Sequence, residues 1–178
     1  MLFHSTDTTS PSPRLQACPT SSLRSVSFRS YLYHLGNKAE VGYRLHDGLV
    51  LLCRVSATGR RIGFALVTSG ETFGEEACYG VPRYHDAWAI EPSTVEMLDP
   101  SEVSSRLGSQ KYQLARDARE RARRLEELCC VHGLKKRIAW VLRNNPRVHL
   151  PQFVIAALCH STREAVARFL SQKARIKR

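Results

Sequence analysis

The sequence predicts an α+β chain, a roll or sandwich of short strands followed by helices, on three observations. From Ser25 to about Asp99, short apolar runs alternate with turn residues. After Pro100 the turn signals stop, and Ser101 to about Val131 is dense in Leu, Ala, Arg, Glu and Gln with a single glycine. The remainder breaks into short helical stretches at Gly133, at Asn145-Pro146 and at His160-Ser161.

The elements follow in order. Residues 1–24 are rich in Ser, Thr and Pro and lack hydrophobic periodicity, so they are expected to form a disordered tail. Residues 25–100 carry the strands. Ser30–Leu35 alternates and stops at Gly36-Asn37. Val41–Leu45 ends at His46-Asp47-Gly48, and Asp-Gly between two apolar runs is a hairpin signal. Leu49–Val55 turns at Ala57–Arg61, Ile62–Val67 turns at Ser69-Gly70, and Ala87–Ile90 and Thr94–Leu98 close the series. Residues 101–132 read as one long helix. Its stripe, Leu107, Leu114, Ala118, Leu125 and Leu128 with Arg121 interrupting, is narrow enough to suggest the seam of a two-helix dimer. Packing against the chain's own β domain is the alternative. Leu134–Asn144 gives a further helix with Ile138, Trp140, Val141 and Leu142 as anchors, and residues 133–178 end in two short helices, Pro151–Cys159 and Thr162–Lys173.

Charge separates the two halves. Of 27 Lys/Arg and 16 Asp/Glu, 17 and 5 lie from Leu107 onward, so the net charge of +11 belongs to the helical part. A neutral half joined to a basic one predicts that the second half meets a polyanion. The six cysteines (Cys18, Cys53, Cys78, Cys129, Cys130, Cys159) show no CxxC or other metal-ligand spacing, and no metal site is expected. Scattered thiols, no secretory leader and no apolar span of membrane length predict a cytoplasmic protein without membrane contact. No Ser/His/Asp, P-loop or paired-carboxylate arrangement supports catalysis.

The last two helices carry the features of a helix-turn-helix. Pro151 suits a first helical turn, Ala156 is small where the helices must cross, and Ile155, Leu158, Val166 and Leu170 supply buried faces. Ser161 or Thr162 can cap the second helix, whose exposed start presents Arg163 and Glu164, with Arg168 a turn further on. Arg forks suit guanine, and Glu accepts from cytosine. Gln152 and Lys173 are placed as additional DNA contacts.

Here the sequence resembles the CRP/FNR family of bacterial transcription regulators. Thr162-Arg163-Glu164-Ala165-Val166-Ala167-Arg168 is similar to the family's recognition-helix run S-R-E-T-V-x-R. Phe73-Gly74-Glu75 followed by His85-Asp86-Ala87-Trp88 is similar to its cyclic-phosphate cassette F-x-G-E…R-S-A-W, and Tyr43-Arg44-Leu45, Asp47-Gly48 and Gly59-Arg60-Arg61 look like hairpins of the roll. The resemblance implies a cyclic-nucleotide-binding-like β-roll (a jelly roll), a dimerisation helix and a winged helix-turn-helix. It implies a homodimer on palindromic double-stranded DNA, read by Arg163, Glu164 and Arg168, and contact with RNA polymerase. It places an effector near Gly74, Glu75, Arg83, His85 and Asp86.

Departures sharpen the expectation. His85-Asp86 replaces the Arg-Ser pair that holds the phosphate, and a carboxylate there argues against cyclic AMP. Arg83-Tyr84-His85 with Ala87 is similar to the R-F-Y-H-A run of a nitrogen-regulator branch that senses 2-oxoglutarate, so 2-oxoglutarate or a nucleotide is the expected effector class if the roll takes one. The wing is expected to be shortened, with Lys173, Arg175, Lys177 and Arg178 as a basic tail. His160 replaces the usual glycine of the turn. A ligand-sensor module with a degenerate DNA-binding part is the alternative function, and an enzyme the third.

Overall fold

A computed structural model gives the fold and describes residues 23–98, 108–146 and 148–176. Leu107, nearly all of the expected tail, Lys177, Arg178 and the side chains of Lys173 and Arg175 lie outside what is described.

Eight strands form two antiparallel sheets. They are β1 (Leu23–Val26), β2 (Tyr31–Tyr33), β3 (Gly42–Asp47), β4 (Val50–Val55), β5 (Arg61–Val67), β6 (Thr72–Phe73), β7 (Asp86–Ala89) and β8 (Ser93–Leu98). One sheet has the order β1-β8-β3-β6 and the other β2-β7-β4-β5. The β4–β5 pair is a true hairpin, closed where the Ser56 amide donates to the Arg60 carbonyl at 2.8 Å.

The Asp47-Gly48 hairpin expected from sequence does not form, because β3 and β4 belong to different sheets. Asp47 still pairs with Thr94, whereas Val50 already pairs with Ala89. Gly48 makes this crossing at φ +95°, and a Cβ there would stand 2.3 Å from Ser93 Oγ and 2.5 Å from the Pro92 carbonyl oxygen. The glycine serves a close approach between sheets; its dipeptide signal resembles that of a turn.

The second sheet is covered on both faces. Val50, Leu52, Ala87 and Ala89 face the roll interior with Tyr33, Tyr43 and Phe73. Leu51, Cys53 and Trp88 face outward onto Leu128, Ile138, Val154, Ile155, Leu158 and Val166. This is why Val50-Leu51-Leu52-Cys53 is an unbroken apolar run rather than an alternating one. Each fully buried aliphatic side chain contributes about 1.5–3 kcal/mol, so the roll and the helices share one core and stabilise each other.

The helices are α1 (Gly108–Cys130), α2 (Leu134–Asn144), α3 (Gln152–Leu158) and α4 (Arg163–Ile176). The span expected for α2 is met at both ends. In α1 the apolar stripe divides. Leu114 and Leu128 are buried within this chain, and Arg121, the interruption, is buried between them. A polar row along the helix ties it to the roll. Gln113 accepts from Arg44 at 3.3 Å, Asp117 accepts from the Thr72 amide at 2.9 Å and its hydroxyl at 2.8 Å, and Arg124 reaches Glu71 at 3.3 Å.

Candidate functional site: the roll cassette and the α3–α4 pair

The cassette begins where β6 ends. Gly74 turns the chain at φ +81° into a single 3-10 turn, Glu75–Tyr79. A Cβ on Gly74 would lie 2.7 Å from Arg83 Nη1, so the glycine lets Arg83 fold back beneath it. Arg83 is 3% exposed. Its guanidinium donates to the Gly74 carbonyl at 3.0 Å, to Glu76 at 3.3 Å and to the Val41 carbonyl, and its centre lies 4.2 Å from the Tyr33 ring centroid. Glu76, 1% exposed, also accepts from the Tyr84 amide at 3.1 Å. Tyr33, Tyr43 and Phe73 stack around this pair, with Tyr43 and Phe73 centroids 5.3 Å apart.

The five expected effector residues therefore separate. Gly74, Arg83 and His85 converge on Glu76 inside the roll. His85 Nδ1 stands 3.4 Å from Glu76, and burial lowers the imidazole pKa against the opposing pull of Glu76 and Glu75. Glu75 turns the other way, toward α1, where Arg121 donates to it at 2.7 Å. Asp86 leaves the site altogether. Its carboxylate accepts from the Leu35 amide at 2.9 Å and lies 3.4 Å from His34 Nδ1. The sequence argument that Asp86 would repel a phosphate thus has a different physical basis: the buried carboxylate nearest the guanidinium is Glu76.

A cyclic nucleotide does not fit these residues as they stand. The arginine positioned to meet its phosphate is held by two carbonyls and a buried carboxylate, and Glu75 is held by Arg121. A phosphate entering here would displace those partners and meet the Glu76 charge in a poorly solvated interior. Glu76, Tyr33 and Arg121 were missed in sequence. Arg121 did leave a signal, as the polar break in an apolar stripe.

The second site is the α3–α4 pair. The connection Cys159–Thr162 is tight, with His160 at φ +52° in the left-handed position expected of it. His160 Nε2 donates to the Gly63 carbonyl at 3.0 Å, fixing the turn to β5. Thr162 Oγ1 accepts from the Ala165 amide at 3.2 Å and so caps α4. Val154, Ile155, Ala156, Ala157 and Leu158 of α3 and Val166 of α4 are buried. Gln152, Thr162, Arg163, Glu164 and Arg168 are exposed, and Ser161 is half-buried. Glu164 and Arg168 lie one turn apart on one side of α4. Burial pushes the Cys53 and Cys159 thiols up to about 11, which makes both inert packing groups, whereas Cys129 and Cys130 are exposed.

A β-roll with a cassette of this form, followed by a helix along its side and further helices, defines a cyclic-nucleotide-binding-type domain. Residues 23–108 match the family model of the cyclic nucleotide-binding domain. The chain is 30% identical to the transcriptional regulator SdrP of Thermus thermophilus over 75% of its own length and 71% of that protein. It is 32% identical to the transcriptional regulator LdrP of the same species, over 53% of its own length and about half (47%) of LdrP. In structure it is similar to a CRP-family transcriptional regulator of Thermus thermophilus, with TM-score 0.74 and 27% identity over 86% of this chain and 85% of the other. The chain belongs to the CRP/FNR family of transcriptional regulators. No described helix is long and apolar enough to cross a membrane.

Proposed function

We propose that this regulator is a homodimer that reads double-stranded DNA with α4 as recognition helix. The observation that carries the reading is the capped, exposed start of α4. Thr162 holds the helix end, the buried faces of α3 and α4 fix its direction, and Arg163, Glu164 and Arg168 are left free to meet base edges. Gln152 and Ser161 flank it as phosphate contacts, which position the helix without reading sequence.

A dimer has its seam on the side of α1 turned from the roll. Ala115, Ala118, Ala122, Leu125 and Cys129 repeat at alternating intervals of three and four, the spacing of a coiled-coil stripe, and all are exposed or half-buried. Two copies joined there are related by a two-fold axis, and so are their α4 helices, which matches a palindromic site. The roll works without a cyclic nucleotide in the usual mode, because Arg83 and Glu75 already have partners in the chain. If it takes an effector, the ligand is one that exchanges with the Arg83–Glu76 pair.

Replacing Arg163 by Ala tests the reading role. The variant is expected to lose about 1–3 kcal/mol of binding on a preferred duplex and little on a scrambled one. Equal losses on both would reject α4 as the sequence reader.

A further inference from the structure

The start of α4 does not stand alone. It shares one cleft with the tip of the β4–β5 hairpin, so that Arg60 and Arg61 of the roll face Ser161, Thr162, Arg163 and Glu164. Arg61 is held in place: its guanidinium donates to the Tyr31 hydroxyl at 3.0 Å and lies 4.0 Å from the Trp88 ring centroid. Arg60 is exposed, and its side chain makes no hydrogen bond or ion pair among the described residues. Arg61 and Arg163 also form no ion pair there. The cleft thus gathers three arginine charges and the positive end of a helix of 14 residues, against the one carboxylate of Glu164.

Like charges brought together across a cleft repel unless a polyanion lies between or along them. The docking that brings them together is built rather than incidental. His160 bonds to Gly63, and a Cβ on Gly63 would meet the Leu158 amide nitrogen at 3.1 Å, so β5 and α3 are in close backbone contact.

We infer that the β4–β5 hairpin is part of the DNA interface, with Arg60 contacting the phosphate backbone beside the recognition helix. This inference rests on the DNA-reading role proposed for α4. Phosphate contacts add affinity without sequence information, and each one lost reduces the salt dependence of binding. The hairpin supplies from the roll the kind of backbone contact that a wing supplies from the other side of a recognition helix. Arg60 is suited to it because its planar fork pairs with phosphate oxygens and has no competing partner in the chain.

The test is a fluorescence-anisotropy titration of the full chain against a selected duplex and a scrambled one, over 50–200 mM salt. Arg60→Ala is expected to weaken binding to both duplexes by the same factor. It should also reduce the slope of log affinity against log salt by about 0.9 for one phosphate contact. Arg60→Lys is expected to keep the wild-type slope, since it keeps the charge. Unchanged affinity and slope in Arg60→Ala, with wild type binding normally, overturn the hairpin contact alone. Tighter binding by Arg60→Glu overturns it too, by making the hairpin a barrier to DNA. Failure of the wild-type chain to bind either duplex overturns the DNA-reading role together with this inference.

Discussion

Arg121 of α1 donates to Glu75 of the cassette at 2.7 Å and to the Thr72 carbonyl, from a position only 6% exposed. One guanidinium thereby joins the long helix to the loop that an effector would have to engage. Truncating it leaves a half-buried carboxylate and a buried carbonyl without their donor. Arg121→Ala is expected to lower the unfolding free energy by about 2–3 kcal/mol in urea titrations. Adding Glu75→Gln should recover part of that loss, because the orphaned charge is then gone. Strictly additive losses would show that the two side chains are not coupled.

Gly63 tests the seating of the helices on the roll. A methyl group there would stand 3.1 Å from the Leu158 amide nitrogen and 3.2 Å from the Ala157 carbonyl carbon, and backbone cannot swing aside as a side chain can. Gly63→Ala is expected to cost about 1–3 kcal/mol of stability and to increase hydrogen exchange in α3. A neutral variant with wild-type protection of α3 would mean that the helices are not seated on β5 in solution.

His85 gives a pH dependence with a defined sign. Burial lowers its folded pKa below the unfolded value of about 6.5, so the unfolded chain takes up the proton first. Its contribution to stability is therefore complete above pH 6.5 and is lost as the pH falls below it toward the folded pKa. Arg83, Arg121 and Tyr33 surround the ring together with Glu75 and Glu76, whose charges act in the opposite direction and limit the loss. Between pH 7.5 and 5.5 the melting temperature of wild type should fall more than that of His85→Asn. Parallel pH profiles would place the neutral imidazole outside the energetics of the fold.

Sequence reasoning succeeded where local chemistry and fold agree. Pro146 and Gly133 bounded α2, and the His160 turn and the Thr162 cap were legible because such positions admit few residue types. It failed where a residue serves two partners at once. Gly48 has the dipeptide of a hairpin but serves a crossing between sheets, a requirement set by Ser93 and Pro92 far along the chain. The stripe of α1 was visible, yet its partner was not, since Leu114 and Leu128 would suit a second copy as well as the roll. In the cassette, alignment by spacing drew attention to His85-Asp86, whereas the folded chain uses Arg83. The reversal follows from Gly74, whose missing side chain makes room for the guanidinium.

The central claim is that α4 reads DNA as one of a two-fold related pair, with the roll already closed by its own side chains. Selection of bound duplexes from a random pool, with and without cyclic AMP, tests it most directly. Both selections should enrich the same two-fold symmetric motif, with half-sites about one helical turn apart. No enrichment, an unpaired half-site, or a motif that emerges only with cyclic AMP would contradict it.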